Sequence, residues 1–184
     1  ALGAGQTLTD TVTVATTDGT EQQIEITING ANDAAVITGD ITGAVTEDAS
    51  TPATGDLNST DVDANNNDDE WNTTVVSNGT YSTLTINATG QWSYAVDDGN
   101  ATVNALGAGQ SMTDTVTVAT TDGTEQQIEI TINGANDAAV ITGDITGAVT
   151  EAGGVANGTA GTPTVTGDLN STDVDANNAD DEWN

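Results

Sequence analysis

Apolar and polar residues alternate along several stretches of this chain with a period of two, the spacing of a half-buried β-strand. In EQQIEITI, Ile128, Ile130 and Ile132 fall on one face, and Gln127, Glu129 and Thr131 fall on the other. The preceding SMTDTVTV puts Met112, Val116 and Val118 on one side and Thr113, Thr115 and Thr117 on the other. Asp122-Gly123 lies between the two runs and marks a tight hairpin turn. The same hairpin is expected over residues 7–28, around Asp18-Gly19. Another is written in GTYSTLTINATGQWSYAV. There Leu84 and Ile86 share a face, as do Trp92, Tyr94 and Val96, and Asn87-Ala88-Thr89-Gly90 connects the strands. Tyr81 falls opposite Leu84 and Ile86, which points it outward. Further strands are expected near residues 35–38, 54–59 and 71–76, and one or two helical turns over Asp98–Leu106. About a fifth of the chain is Thr, largely at outward strand positions, as its β-propensity allows. Roughly seven short strands with close turns describe an all-β sandwich.

The pattern repeats. Residues 1–47 return at 105–151 with two changes, Thr7 to Ser111 and Leu8 to Met112, an offset of 104 residues. Residues 55–72 return at 167–184 with one change, Asn67 to Ala179, at an offset of 112. The eight extra residues fall in AGGVANGTAGTPTVT at 152–166, where the earlier copy has DASTPAT at 48–54. Such an insertion marks a surface loop. A unit of about 104 residues is the size of one small sandwich and can hold its own core. The expected organisation is residues 1–33 as the C-terminal strands of a preceding repeat, 34–137 as a complete repeat, and 138–184 as the N-terminal part of a following one. The near-identity of the copies suggests recent duplication, and the sequence reads as a segment of a longer tandem array.

Composition removes many functions. The 184 residues include 29 Asp plus Glu and no Lys, Arg, His or Cys, for a formal net charge of −29. Nothing here neutralises a phosphate backbone or an anionic membrane surface, so no nucleic-acid partner is expected. No apolar run is long enough for a transmembrane helix, so no membrane insertion is expected in this segment. Without His, Cys or Lys, the usual nucleophile–base pairs and imidazole or thiolate metal sites cannot be built. The chain is read as a non-enzyme. High charge with 35% hydrophobic residues raises the possibility of disorder, but the strand pattern argues against it.

The carboxylates are not evenly spread. Residues 34–137 hold 16 of them, and Asp61-Val62-Asp63-Ala64-Asn65-Asn66 is closely followed by Asp68-Asp69-Glu70. Like charges a few ångströms apart repel by roughly 1 kcal/mol per pair in water. A hard cation relieves this, and oxygen-only ligands select Ca²⁺ or Mg²⁺, with many flexible oxygens suiting calcium better. The run is not an EF-hand, because Asn66 stands where that loop has Gly and Asn72 where it has Glu. On this pattern alone, a calcium site and a solvated acidic loop both stand. Asp68, Asp69 and Glu70 are either a separate site or a solvated loop.

The string GTYSTLTINATGQWSYAV, followed by ALGAGQSMTDTVTVATTDGTEQQIEITINGANDAAVITG, resembles the VCBS repeat, a cadherin-like, immunoglobulin-like domain of giant bacterial RTX-type adhesins. The resemblance covers essentially the whole chain. It implies a tandem-array surface protein exported by type I secretion, with calcium within or between domains. By analogy with cadherin joints, one junction would use Asn32, Asp33, Asp61 and Asp63. The other would use Glu47, Asp97, Asp98, Asn136 and Asp137, with Asp173 and Asp175 from the next repeat. Glu151 follows Asn136-Asp137 at the second junction as Glu47 follows Asn32-Asp33 at the first. The linker N-D-A-A differs from the longer cadherin linker, which leaves the number of ions open.

The expectation is therefore a calcium-stiffened extender repeat of an extracellular adhesin or fibre on the bacterial cell surface, supporting adhesion and biofilm. Its partners would be neighbouring repeats of the same chain, with lateral self-association a further possibility. The alternative is a carbohydrate- or surface-binding module in which Trp71, Trp92 and Tyr81 stack on sugars, against a simpler reading of Trp92 as core. Rows such as Thr7, Thr9, Thr11 and Thr13 suggest ice or crystal binding only if they are more than outward strand residues. Seven Asn-x-Ser/Thr sequons, the first at Asn58, are what so Asn- and Thr-rich a chain produces by chance.

Overall fold

The structure, a computed structural model, describes the whole chain except residues 65–66, 68, 74–79, 177–180 and 184. Its strands are β1 (Thr7–Ala15), β2 (Glu21–Asn29), β3 (Val36–Gly39), β4 (Thr42–Thr46), β5 (Ala53–Thr60), β6 (Ser82–Ile86), β7 (Gln91–Val96), β8 (Ser111–Ala119), β9 (Glu125–Asn133), β10 (Val140–Gly143) and β11 (Leu169–Thr172), with a short 3-10 turn at Val155–Asn157. The central repeat is a β-sandwich. One sheet has the order β3-β5-β7-β6 and the other β4-β9-β8. All pairs are antiparallel except β4 with β9, which run parallel from Thr42↔Glu129 to Thr46↔Asn133. The flanking segments repeat these pairings. β1–β2 has the register of β8–β9, and β10–β11 has that of β3–β5.

The core forms where the alternation placed apolar residues. Leu57, Leu84, Ile86, Trp92 and Tyr94 come from one sheet, and Val45, Val116, Val118, Ile128, Ile130 and Ile132 from the other. Trp71 and Val103 close the cluster from the connections. Trp92 needs a bare neighbour to lie flat, since a Cβ on its cross-strand partner Gly55 would come within 2.4 Å of the indole. Gly90 has a φ of 87° in the β6–β7 turn, and a Cβ there would strike the Leu57 carbonyl. Only glycine fits both demands.

Four local expectations change. β4 was not foreseen, because TGAVT is short and holds a glycine. It is recruited by parallel pairing to β9 rather than by its own periodicity. Asp98–Leu106 forms successive turns instead of a helix, with one helical-type bond from Asn104 N–H to Asn100 O. The side chains of Asp97 and Asn100 take the N–H groups of Gly99 and Thr102, which competes with helical bonding. Tyr81 packs half-buried against the core instead of facing solvent. Of the strand expected at 71–76, Trp71 forms an isolated bridge to Thr120, and residues 74–76 lie outside the described residues.

One buried acid lies on the apolar side of a strand of the sandwich. Asp114 shares a face with Val116 and Val118 and is buried. It accepts hydrogen bonds from the Tyr94 hydroxyl at 2.8 Å and the Ser82 hydroxyl at 3.1 Å. Ser82 begins β6 and Asp114 sits on β8, the outer strands of the two sheets. Together they tie the sandwich along its open side. Burial, with the neighbouring Asp114 charge, pushes the Tyr94 hydroxyl well above its ordinary range, so it stays a donor. Tyr94→Phe is expected to cost about 1.5–3 kcal/mol in chemical denaturation, the range for a hydrogen bond to a charged group. The same change should cost less in an Asp114→Ala background, and an equal cost in both would refute the pairing.

Candidate metal centre

Most of the carboxylates predicted to be ligands gather where one repeat meets the next. At the first joint, Asp63 accepts the Asp33 N–H at 2.9 Å, and Asp61 accepts the Asp63 N–H at 2.6 Å. The second joint repeats this arrangement. Asp175 accepts the Asp137 N–H at 3.0 Å, and Asp173 accepts the Asp175 N–H at 2.7 Å. In each case an Asp-x-Asp turn folds on itself and grips the linker aspartate. Asn32 and Asn136 donate their amides to the carbonyls of Asp33 and Asp137, both at 2.6 Å.

The preceding repeat docks on the same turn. Ala64 N–H bonds Ala1 O at 3.0 Å, and its counterpart Ala176 N–H bonds Ala105 O at 2.9 Å. At the first joint the Gln6 side chain also reaches Ala64 O at 2.5 Å. Gly134 makes room for this docking loop, since a Cβ there would come within 2.1 Å of Leu106 O.

Both sides of the second joint are present. Glu47 is 3% exposed, and its carboxylate accepts the Ala135 N–H at 2.8 Å. Burial pushes its pKa up, with further upward pressure from the charges of Asp137, Asp48 and Asp175. Asp137 is also raised, by desolvation and then by Asp48, Asp175 and Asp173. Five acids thus act on one another here. Asp98 joins them through a bond from the Asp48 N–H to its carboxylate at 3.1 Å. Asp97 turns to its own loop and accepts the Gly99 N–H at 3.0 Å. Glu151 stands exposed in the third copy. Asp48 was missed in the sequence, and its one signal was adjacency to Glu47.

Among the described residues, no group of three or more Asp, Glu, His or Cys side chains is assembled as a metal site. The donor chemistry nevertheless fits a hard cation. Asp61 Oδ2, Asp63 Oδ1 and Asp173 Oδ2 are buried with no hydrogen-bond donor. A buried acceptor left bare costs about 1–3 kcal/mol, and more when charged. No cationic side chain exists in the chain to satisfy these oxygens. Of the acidic run after the turn, Asp69 and Glu70 are described and Asp68 lies outside the described residues.

A different anchor lies at the tip of the β8–β9 hairpin. Asp122 accepts bonds from Thr120, from Thr124 and from the Ala35 N–H, the last at 3.0 Å. Burial pushes this acid up, but the hydrogen bonds outweigh it and hold the pKa well below the carboxylate range. Asp18, its counterpart in the preceding hairpin, is held at about 2 by bonds from Thr16 and Thr20. The aromatic candidates for sugar stacking are accounted for otherwise, since Trp71 and Trp92 are buried and Tyr81 packs on the core.

The family described as the bacterial cadherin-like domain matches residues 32–134. No curated protein matches the chain.

The raised acids give the joint a pH dependence of definite sign. Folding raises the Glu47 pKa above its ordinary 4.5, so the folded chain binds more protons there than the unfolded one. Its stabilising share is full below that value and is lost as pH rises through the raised folded value. In chelator, the thermal transition of wild type minus that of Glu47→Gln should therefore fall as pH rises through this window. A difference that grows with pH would contradict the assignment.

Proposed function

The chain belongs to the bacterial cadherin-like domain family, and from that premise we propose that it is an extender of a long extracellular adhesin or surface fibre, stiffened by calcium at its joints. One observation carries the reading. Both joints hold the same Asp-x-Asp turn, gripping the linker aspartate by its N–H, and in both the first aspartate of the turn, Asp61 or Asp173, keeps a buried Oδ2 that no donor reaches. A solvated acidic coat gives no reason for that same oxygen to be withdrawn from water twice.

Asn32, Asp33, Asp61 and Asp63 would hold the ion at the first joint. Glu47, Asp98, Asn136, Asp137, Asp173 and Asp175 would hold it at the second, with Asp97 at the margin. Glu151 would serve the next joint along. Calcium supplies positive charge that cancels repulsion across the boundary. The protein's part would be to bring oxygens from two repeats and a linker to one ion. Asp33 and Asp137 fix the linker, the Asp-x-Asp turn comes from the following repeat, and Glu47 comes from the preceding one. With the charges balanced the repeats would be held end to end. Without balance, repulsion and the few contacts across the boundary would let them swing.

The family, the repetition and the lack of catalytic groups favour a spacer. The VCBS type, type I secretion, a cell-surface location and support of biofilm remain parts of this proposal. Small-angle scattering should show a longer maximum dimension for the chain in calcium than in chelator. Asp63→Asn with Asp175→Asn should hold the calcium sample at the chelated value. An identical dimension in both conditions would sink the proposal.

A further inference from the structure

The third copy departs from the second mainly in one place, which borders the joint. After the shared Thr-Glu at 46–47 and 150–151, the central repeat continues DASTPAT and the third AGGVANGTAGTPTVT. Asp48 is replaced by Ala152, and the longer insert carries no charge. In the central repeat Asp48 has a φ of 56°, a left-handed conformation directly after Glu47. Its N–H is pinned to Asp98 at 3.1 Å. Asp48 directly follows Glu47, which is buried at the joint. In the third copy the turn is rebuilt. The positive φ angles move to Gly154, Ala156 and Asn157, and bridges Thr150↔Thr162 and Gly153↔Thr159 carry the loop.

We propose that the residue after the joint glutamate, Asp48 in the central repeat and Ala152 in the third, sets how strongly each joint draws in its cation, so that joints within one array differ. The inference rests on the calcium-joint reading and adds a grading to it. Ligand charge count tunes the affinity of calcium sites over orders of magnitude. Asp48 is one of the five acids of the joint, and its N–H is held by Asp98, whereas the third copy lacks that charge. The joint built by the third repeat would bind calcium more weakly and repel less without it. An array of near-identical domains would then carry a bend-prone point at a fixed position.

The test uses the full 184-residue chain. Calcium is titrated and followed by calorimetry for wild type, Asp48→Asn, Asp10→Asn and Glu47→Gln. Another variant has residues 48–54 replaced by the sequence of 152–166. Asparagine tolerates the left-handed conformation, so Asp48→Asn removes charge without forcing the turn. Asp48→Asn and the graft should each move the calcium midpoint up by about fivefold or more, as loss of one near charge implies. Asp10→Asn removes an exposed charge on β1 and should leave the midpoint in place. Unchanged midpoints for Asp48→Asn and the graft, with Glu47→Gln raising its own, would overturn the inference and leave the joint reading intact. No calcium response in wild type would remove the joint reading, and this inference with it.

Discussion

Every ionised side chain in this protein is an acid, so no carboxylate can be satisfied by a cation of its own chain. Each acid that leaves water must find neutral donors, and the fold is arranged around that need. Asp114 uses two hydroxyls, from Tyr94 and Ser82. Asp122 uses two threonine hydroxyls and two backbone N–H groups. Asp63, Asp175 and Glu47 use backbone N–H groups. Hydroxyls and amides stabilise a carboxylate less than a guanidinium does, but they avoid desolvating a second charge. The threonine-rich composition therefore has two uses. It suits outward strand positions, and it supplies hydroxyl donors at the hairpin tips.

Four of the backbone donors come from one class of place. Asp33, Ala35, Ala135 and Asp137 all lie in linkers, and each gives its N–H to a carboxylate. The linker near Ala135 is gripped from both sides, by Glu47 of the repeat that ends and by Asp175 of the repeat that begins. Two residues apart, the chain passes from one domain's hold to the next. Acids hold the linker at these positions, which ties the joint to its state of charge.

Much of the sandwich was legible because period-two alternation is a direct image of burial. Ile128, Ile130 and Ile132 were assigned inward from spacing alone and are fully buried. The same rule placed Asp114 inward, and only its polarity hid the conclusion. β4 was illegible because its pairing partner is distant in sequence, and nothing local in TGAVT demands a strand. The turns after Asp98 were misread because Asx-type side-chain bonds depend on geometry that composition does not reveal. The family resemblance pointed to Asp33, Asp61, Asp63, Glu47, Asp137, Asp173 and Asp175, which lie at the joints, and also to Asp97, which bonds within its own loop, and Glu151, which stands exposed. Asp48 was not among them, since its place depends on a backbone angle rather than on a motif.

Near-identity between copies poses a problem that charge helps to answer. The second strands β2 and β9 are identical, and the first strands differ only at the Thr7/Ser111 and Leu8/Met112 positions. The hairpin takes one register in both settings, docked in the central repeat and exposed at residues 7–29. The apolar pattern therefore cannot distinguish a repeat's own hairpin from its neighbour's, and misassembly between like domains is the characteristic failure of such arrays. The short tether raises the effective concentration of the correct hairpin over all others. Repulsion between acidic domains opposes approach of the wrong one. The apolar faces fold each repeat, and the acids keep the repeats apart except at the joints, where the linker N–H groups hold them.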